Sequence, residues 1–257
     1  MNVLLTNDDG IDAPGIAAIY RALVNAGHKV WVVAPMSQQS GVSRALTVFS
    51  PLRAESFEKD GLSGTGIHGT PADCVKVGLG SIADAPVDLV MAGINAGPNS
   101  GPDIYYSGTV AAAAEGAQAG IPSMAISHDR HEPGADLDRM ARHAVQLAEK
   151  IDFASLGPGI VVNVNYPRNF PEKGGDIRVC PRSRAAWRNL YNRRDDPRGR
   201  PYWWLVGDVP PAGIGADTDR ALLASGHVTV TPLLFDFNAP DALEKLRELE
   251  QPGNEIS

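Results

Sequence analysis

Two adjacent aspartates, Asp8 and Asp9, follow the apolar run of residues 2–6 after a single asparagine, Asn7, and precede Gly10. Neighbouring carboxylates repel each other, so their charge needs either water or a bound cation nearby. One interpretation of this motif is therefore a solvated turn that caps a following helix, and the other is a metal site. The motif does not fit a dinucleotide-binding fold, because no GxGxxG follows the first strand. It also differs from the Asp-x-Asp of haloacid dehalogenases, because adjacent side chains of an extended chain point in different directions.

Two more polar segments follow apolar runs further along the chain. One is the loop of residues 37–43, which includes Ser40, and the other is the glycine-rich segment of residues 93–101, which includes Asn95 and Asn99. Residues 106–109 (YSGT) then lead into an alanine-rich stretch. Glycines allow backbone N–H groups to approach an anion, and a helix N-terminus adds partial positive charge. Each segment alone also fits an ordinary loop or helix cap, and the Gly-Lys-Ser/Thr ending of a Walker P-loop is missing.

Taken together, the three segments offer carboxylate, amide and hydroxyl oxygens. These hard ligands suit Mg²⁺, Mn²⁺ or Ca²⁺. A zinc site is not indicated, because the six histidines, at positions 28, 68, 128, 131, 143 and 227, show neither HxxxH nor HxH spacing. A dication next to an anion-binding loop can support the hydrolysis of a phosphate ester.

The hydrophobic pattern predicts a fold that would bring these segments together. Residues 2–6, 14–26 and 29–34 have the spacing of a strand–helix–strand unit. The alternation continues with predicted helices at 70–79, 109–119 and 136–150 and predicted strands at 87–92, 123–127 and 160–165. We therefore predict an α/β fold in which residues 1–166 form a Rossmann-like, doubly wound, mostly parallel sheet. Ligands of such sheets bind at the carboxyl ends of the strands, which is where the polar segments fall.

Residues 167–257 have a different composition and form the second predicted part of the chain. We expect a protruding hairpin arm over about 168–215, with weak strand patterns at 176–179 and 202–206, then a returning strand at 226–234 and a helix at 239–249. Trp187, Trp203 and Trp204 would pack at a subunit interface. The arginines of residues 182–200 leave contact with RNA as an alternative. His227 is either packed at the end of a strand or close to the site.

Composition narrows the class of protein. The formal net charge of -7 argues against a nucleic-acid partner, which usually meets a basic surface. Apolar runs such as residues 87–92 are too short to span a membrane. The first residues lack the basic region of a secretory signal, so we expect a cytoplasmic protein. Cys74 and Cys180 are too few and too far apart for a disulfide framework, and we expect both as reduced thiols.

Many ordered motifs resemble the SurE family of nucleotidases. They comprise LLTNDDG at 4–10, APMSQQSG at 34–41, GTPADCV at 69–75, GINAGPNSG at 93–101, YSGTVAAAAEG at 106–116, GIPSMAIS at 120–127, VVNVNYP at 161–167, DPRGRPYWW at 196–204 and TDRALLASGHVTVTPL at 218–233. These motifs run in the family's order through most of the chain.

The resemblance implies a set of site residues. One divalent cation, Mg²⁺ or Mn²⁺, would be held by Asp8, Asp9, Ser40 and Asn95. The phosphate would be bound by Asn95, Asn99, Ser107, Gly108 and Thr109, and we add Asn7 to this substrate-binding set. Asp8 and Asp9 would be the catalytic residues. A water molecule would attack the phosphorus in line, with Asp9 preferred as the group that removes its proton and a covalent aspartyl-phosphate as the less favoured route.

The resemblance also implies an activity and an assembly. Family members dephosphorylate nucleoside 5'- and 3'-monophosphates, some of them shorten polyphosphate, and they form homodimers or tetramers, often by exchanging C-terminal segments. A nucleotide-binding sensor without catalysis remains the alternative function. The chain departs from the common family pattern at residues 36–39, Pro98 and Ser100, which flank the site and so bear on substrate preference and metal affinity.

Overall fold

The structure, a computed structural model, describes residues 1–129, 136–170, 175–186, 188, 190–210 and 213–250. Trp187 and His131, two residues considered above, lie outside this part of the chain, as do short pieces of the hairpin arm and the last seven residues. No helix of the described part is both long and apolar enough to cross a membrane.

The described residues build the fold on one nine-stranded sheet. The strands are β1 (Asn2–Thr6), β2 (Lys29–Pro35), β3 (Ala54–Lys59), β4 (Leu62–Ile67), β5 (Leu89–Ala96), β6 (Ser123–His128), β7 (Ile160–Tyr166), β8 (Ile177–Val179) and β11 (Val228–Leu234). Their order is β3-β4-β2-β1-β5-β6-β7-β11-β8, and among these nine described strands only the β3–β4 and β7–β11 pairs are antiparallel. The prediction of a mostly parallel α/β sheet is therefore confirmed.

Helices cover both faces of this sheet. They are α1 (Pro14–Asn25), α2 (Pro71–Val77), α3 (Gly108–Gln118), α4 (Leu137–Lys150) and α5 (Asp219–Ala224). A further helix, α6 (Pro240–Leu246), has no buried residue. Side chains of α1 and α4 fill a core on one face of the sheet, and those of α2 and α3 fill a second core on the other face. The alanine-rich α3 packs closely, because a Cβ at Gly116 would lie within 2.7 Å of Val90 and 2.6 Å of Ser123. Small residues therefore fit where the helix meets the sheet.

Two elements of the structure were not predicted from the hydrophobic pattern of the sequence. The β3–β4 hairpin adds an edge to the sheet, and five of the six residues of β3 are exposed. The charged residues of β3 (Glu55, Glu58 and Lys59) and the glycines of β4 gave no strand pattern of the usual apolar kind. Helix α5 is only one and a half turns long and was likewise not predicted.

The C-terminal part contributes to the sheet and also forms a separate hairpin. Strand β11 pairs with β7 over six residues, and β8 pairs with β11. Strands β9 (Leu190–Asp195) and β10 (Pro201–Val206) form their own antiparallel pair within the expected arm. Trp203 and Trp204 on β10 are more than half exposed. The returning strand and the terminal helix lie at the predicted positions.

Candidate metal and phosphate site

Asp8 lies at the carboxyl end of β1, which runs through the middle of the sheet between β2 and β5. The residue is 3% exposed, and its Oδ1 accepts a hydrogen bond from the hydroxyl of Thr109. Burial raises the pKa of Asp8 from its usual 3.8 to about 6, and the charge of Asp9 adds to the rise, while the hydrogen bond from Thr109 opposes it. A buried carboxylate of this kind gains from a nearby positive charge.

Asp9 and Asn95 meet where β1 and β5 end. Oδ2 of Asp9 accepts a hydrogen bond from the backbone N–H of Ala96, at 3.1 Å. The side-chain amide nitrogen of Asn95 donates to the carbonyl oxygen of Gly97, at 2.7 Å, so its carbonyl oxygen is left as the acceptor for a ligand. The register of β5 against β6 shifts between Ala92 and Asn95, as in a β-bulge. Bulges of this type re-aim side chains beside functional sites.

The loop after β2 brings Ser40 towards the same sheet edge. The N–H of Gln39, its neighbour in the chain, donates to the backbone carbonyl of Asp8 at 2.7 Å. The hydroxyl of Ser43 donates to the carbonyl of Tyr105 at 2.7 Å, and its N–H donates to that of Tyr106. The loop is therefore fastened both to β1 and to the turn that precedes α3. Ser40 itself is exposed, with its hydroxyl accepting from Gln38.

An ion-pair group fixes the far end of this loop. Arg44 pairs with the buried carboxylate of Glu115 on α3, at 2.9 Å, and hydrogen-bonds to Gln118. Lys76 on α2 pairs with the other oxygen of Glu115, at 2.5 Å. Burial alone would raise the pKa of Glu115, but the hydrogen bonds from Lys76 and Arg44 hold it below its usual value. Glu115 thus joins the Ser40 loop to two helices.

The first turn of α3 packs directly on Asp8. Ser107 is the N-cap, and its hydroxyl oxygen accepts from the N–H of Val110 at 3.1 Å. A Cβ at Gly108 would lie 2.8 Å from Cβ of Asp8 and 3.0 Å from its Oδ2, so only glycine allows this approach. Thr109 is fully buried with its hydroxyl directed at Asp8. Of the three residues, Thr109 therefore contacts the carboxylate of Asp8 through its side chain. Ser107 and Gly108 directly precede Thr109 in the chain.

Asn99 is held by side chains of β6 and β7. Its backbone N–H donates to Oδ1 of Asn165 at 2.8 Å, and its carbonyl accepts from the amides of Asn163 and Asn165, at 2.8 and 3.0 Å. Its side-chain amide donates to the hydroxyl of Ser127 at 2.9 Å. All four of these side chains are buried. The glycine-rich segment is therefore fixed at Asn99 by hydrogen bonds from the sheet.

The structure thus brings together the polar segments that the sequence singled out. Comparison with known proteins shows similarity over nearly the whole chain. Residues 3–189 match the family described as Survival protein SurE. The chain belongs to the SurE family. A protein described as 5'-nucleotidase SurE from Desulfovibrio desulfuricans is 54% identical over 257 residues, covering 98% of this chain and 100% of that relative. Another of the same description from Nitratidesulfovibrio vulgaris is 50% identical over 251 residues, with 98% and 100% covered.

A solved structure of a SurE protein has the same fold. The crystal structure of the SurE protein from Aquifex aeolicus superposes with a TM-score of 0.82 at 34% sequence identity. The superposition covers 98% of this chain and 100% of that one. The similarity therefore includes the C-terminal part, beyond the residues that match the family.

The donor set of this SurE-family chain fits a hard cation. Within the described residues, no three His, Cys, Asp or Glu side chains lie together as a metal site, so a dication would need neutral oxygens besides Asp8 and Asp9. Asn7 supplies one further observation. Its amide nitrogen donates to the carbonyl of Gly10 at 2.7 Å, whereas its buried Oδ1 has no hydrogen-bond partner in the described part of the chain. The buried carboxylate of Asp8, whose pKa is raised, and the unsatisfied amide oxygen of its chain neighbour Asn7 are both groups that a bound cation would stabilise.

Sequence reasoning missed the side chains that support this site. Asn163 and Asn165 stand two residues apart in an apolar strand, so they share one face, and this period of two was the available signal. Asp219 on α5 was missed too. Its fully buried carboxylate accepts from the N–H of Gly101 and from that of Ser183, both at 2.8 Å. Such bonds between distant segments leave no local pattern.

His227 lies between α5 and β11. Its backbone N–H donates to the carbonyl of Leu222 at 3.1 Å, which closes the C-terminal end of α5. His227 therefore directly precedes β11 in the chain.

Proposed function

We propose that this chain is a divalent-metal-dependent phosphomonoesterase that hydrolyses nucleoside 5'-monophosphates to nucleoside and phosphate. One observation carries the proposal above the others. Asp8 and Asp9, at the end of a central parallel strand, contact both the first turn of α3 and the segment after Asn95. In such an arrangement the two acids can bind a cation, and the glycine-rich loop and the helix N-terminus can bind the phosphate group of an ester. The curated relatives described as 5'-nucleotidase SurE support the nucleotide as substrate.

Four side chains would hold the cation, namely those of Asp8, Asp9, Ser40 and Asn95. Their two carboxylates, one hydroxyl and one amide oxygen are the donors that Mg²⁺ and Mn²⁺ prefer. When bound, such a cation polarises a phosphoryl oxygen and lowers the pKa of a water molecule.

The remaining residues would bind the phosphate and move a proton. We assign phosphate binding to the N–H of Gly108, the hydroxyl of Ser107 and the side chain of Asn99, with Asn7 and Asn95 beside them. The hydroxyl of Thr109 is engaged by Asp8, so its contribution is to hold that carboxylate in place. We assign removal of the proton from the attacking water to Asp9, which is the less buried of the two acids.

Wider properties of the proposal follow from the family resemblance. We propose activity on 3'-monophosphates and polyphosphate as well, and an assembly of two or four copies. The exposed aromatic residues of β10, such as Trp203 and Trp204, support a role of the arm in that assembly.

A screen of metals against substrates tests the proposal. Purified protein is treated with chelator and then assayed with each nucleoside monophosphate, with and without added Mg²⁺ or Mn²⁺. We expect release of inorganic phosphate only with metal. Asp8→Asn and Asp9→Asn should each abolish the metal-dependent turnover while leaving the circular dichroism spectrum unchanged.

Two outcomes would contradict the scheme. Retained activity in both aspartate variants would remove the assigned metal and catalytic residues. Binding of nucleotide without any release of phosphate, under every metal tested, would instead support the alternative of a sensor protein.

A further inference from the structure

The side-chain amide of Asn165 pairs with the backbone of Asn99 as one strand pairs with another. Its Oδ1 accepts from the N–H of Asn99, and its Nδ2 donates to the carbonyl of the same residue. Asn163 donates a second hydrogen bond to that carbonyl. Both backbone groups of a single loop residue are therefore satisfied by side chains of β7, 64 and 66 residues further along the chain.

These asparagines are an unusual choice for their positions. Asn163 and Asn165 are both 0% exposed in a strand whose other buried residues are three valines and Tyr166. Burying an amide costs free energy unless it forms hydrogen bonds, and valine would satisfy the sheet equally well. Oδ1 of Asn163 has no hydrogen-bond partner among the described residues, so this strand even retains one unsatisfied group. Packing within the sheet therefore does not explain why amides occupy these two positions. Their hydrogen bonds to the loop at Asn99 do explain it.

The position of Asn99 explains what these amides can do. Asn99 lies in the glycine-rich segment between Asn95 and Ser107, and glycines at 97 and 101 make this segment conformationally permissive. Its Nδ2 also donates to Ser127 on β6, so both backbone groups and the side chain are fixed. A loop that is ordered before its ligand arrives does not have to be ordered by binding.

We propose that Asn165, assisted by Asn163, is a positioning residue that holds Asn99 and its loop in the arrangement that binds the phosphoryl group. This inference rests on the proposed function, because it takes the phosphoryl group to bind at Asn99. Asn165 acts through Asn99 and does not itself meet the substrate.

A graded series of variants tests this role. Asn165→Leu removes both hydrogen bonds to Asn99, Asn165→Asp keeps the acceptor and removes the donor, and Asn163→Val removes one donor only. Thr229→Val is the matched control, because Thr229 faces Asn165 on β11, is equally buried, and its hydroxyl has no hydrogen-bond partner in the described structure. The full chain is used throughout.

Three quantities are measured for each folded variant. They are the KM for the preferred nucleoside monophosphate, the inhibition constant of inorganic phosphate, and the dissociation constant of Mn²⁺. For Asn165→Leu we expect KM and the inhibition constant to rise about 10- to 100-fold, since a small misplacement of binding groups costs that much. For Asn165→Asp both constants should rise almost as much, and for Asn163→Val they should rise less. Thr229→Val should have the wild-type constants. The Mn²⁺ constant should stay within about twofold in all four, because none of these side chains is among the four assigned cation ligands.

The outcomes separate a positioning role from a structural one. A purely structural role would lower the melting temperature and the fraction of active enzyme, and it would leave KM and phosphate inhibition at their wild-type values. That result in Asn165→Leu and Asn165→Asp would overturn the inference and leave the proposed function intact. If Asn165→Leu does not fold, Asn165→Asp and Asn163→Val decide by the same two constants. If the wild-type protein releases no phosphate under any metal, the proposed function fails before any variant is compared, and this inference fails with it.

Discussion

The hydroxyl of Thr109 donates a hydrogen bond to the carboxylate of Asp8, joining two residues that are 101 positions apart in the chain. Thr109 lies in the first turn of α3, and Asp8 follows the carboxyl end of β1. Both side chains are buried. The bond opposes the effects of burial and of Asp9, which raise the pKa of Asp8. It therefore favours the ionised form that a metal ligand must have.

Thr109→Val should weaken metal binding. The substitution keeps the shape of the side chain and removes the hydroxyl, so the pKa of Asp8 rises further. A hydrogen bond to a charged group contributes about 1.5–3 kcal/mol, which corresponds to a loss of about 10- to 100-fold in Mn²⁺ affinity near neutral pH. Titration calorimetry at pH 6, 7 and 8 measures this loss, and it should shrink as the pH rises. Equal affinities of variant and wild type at all three values would contradict the assignment, and Thr229→Val again serves as control.

Asp8→Asn should stabilise the metal-free protein at neutral pH. The folded-state pKa of about 6 lies above the usual 3.8, so ionisation of Asp8 costs stability as the pH rises through this interval. The full cost above pH 6 is about 3 kcal/mol at 1.36 kcal/mol per pH unit. The variant should therefore unfold at a higher urea concentration than the wild type at pH 7.5, with the difference vanishing near pH 3.5. A metal-free variant that is less stable than the wild type at pH 7.5 would contradict this expectation.

Gly108→Ala should disrupt the site without unfolding the chain. The new methyl group would lie 2.8 Å from Cβ of Asp8 and 3.2 Å from the carbonyl oxygen of Gln39, so the start of α3 must move. We expect kcat/KM to fall at least about 100-fold, because a displacement of 1 Å can have that effect. Gly80→Ala is the control, since a Cβ there meets nothing within 4 Å and its backbone has no positive φ. Activity equal to that of the control would show that the contact is not needed.

Glu115→Gln should loosen the loop that carries Ser40. The wild-type carboxylate pairs with Arg44 and Lys76, and a neutral amide leaves both cations without a counter-charge. Because these cations are partly exposed, we expect a loss of about 1–3 kcal/mol, below the value for a fully buried pair. The pKa of Glu115 is lowered in the folded state, so its stabilisation is complete above the usual pKa and is lost as the pH falls from there through the lowered folded-state pKa. Urea unfolding at pH 7 and pH 3 measures both effects, and a difference between variant and wild type that is as large at pH 3 as at pH 7 would contradict this origin.

The sequence predicted the sheet and the convergence of its polar segments because both follow local rules. Apolar strands alternating with helices imply parallel pairing, and parallel strands end at one edge. The contacts among Asp8, Asp9 and the segments of Ser40 and Asn95 follow from that edge.

The supporting groups could not be predicted in the same way. Asn165 and Asp219 bind backbone groups 66 and 118 residues away, and no periodicity encodes such a pairing. The β3–β4 hairpin was missed for another reason, because its exposed edge strand has no apolar face to reveal it.

The pairing of β11 with β7 has a consequence for where the chain can be shortened. The family match ends at residue 189, but β11 lies at 228–234 and covers one side of β7 along six residues. A polypeptide cut after residue 189 would leave β7, the strand of Asn163 and Asn165, as an uncovered and largely apolar edge. Exposed edge strands of this kind pair with strands of other molecules, so such a fragment should aggregate. It should do so even though it retains all four assigned cation ligands.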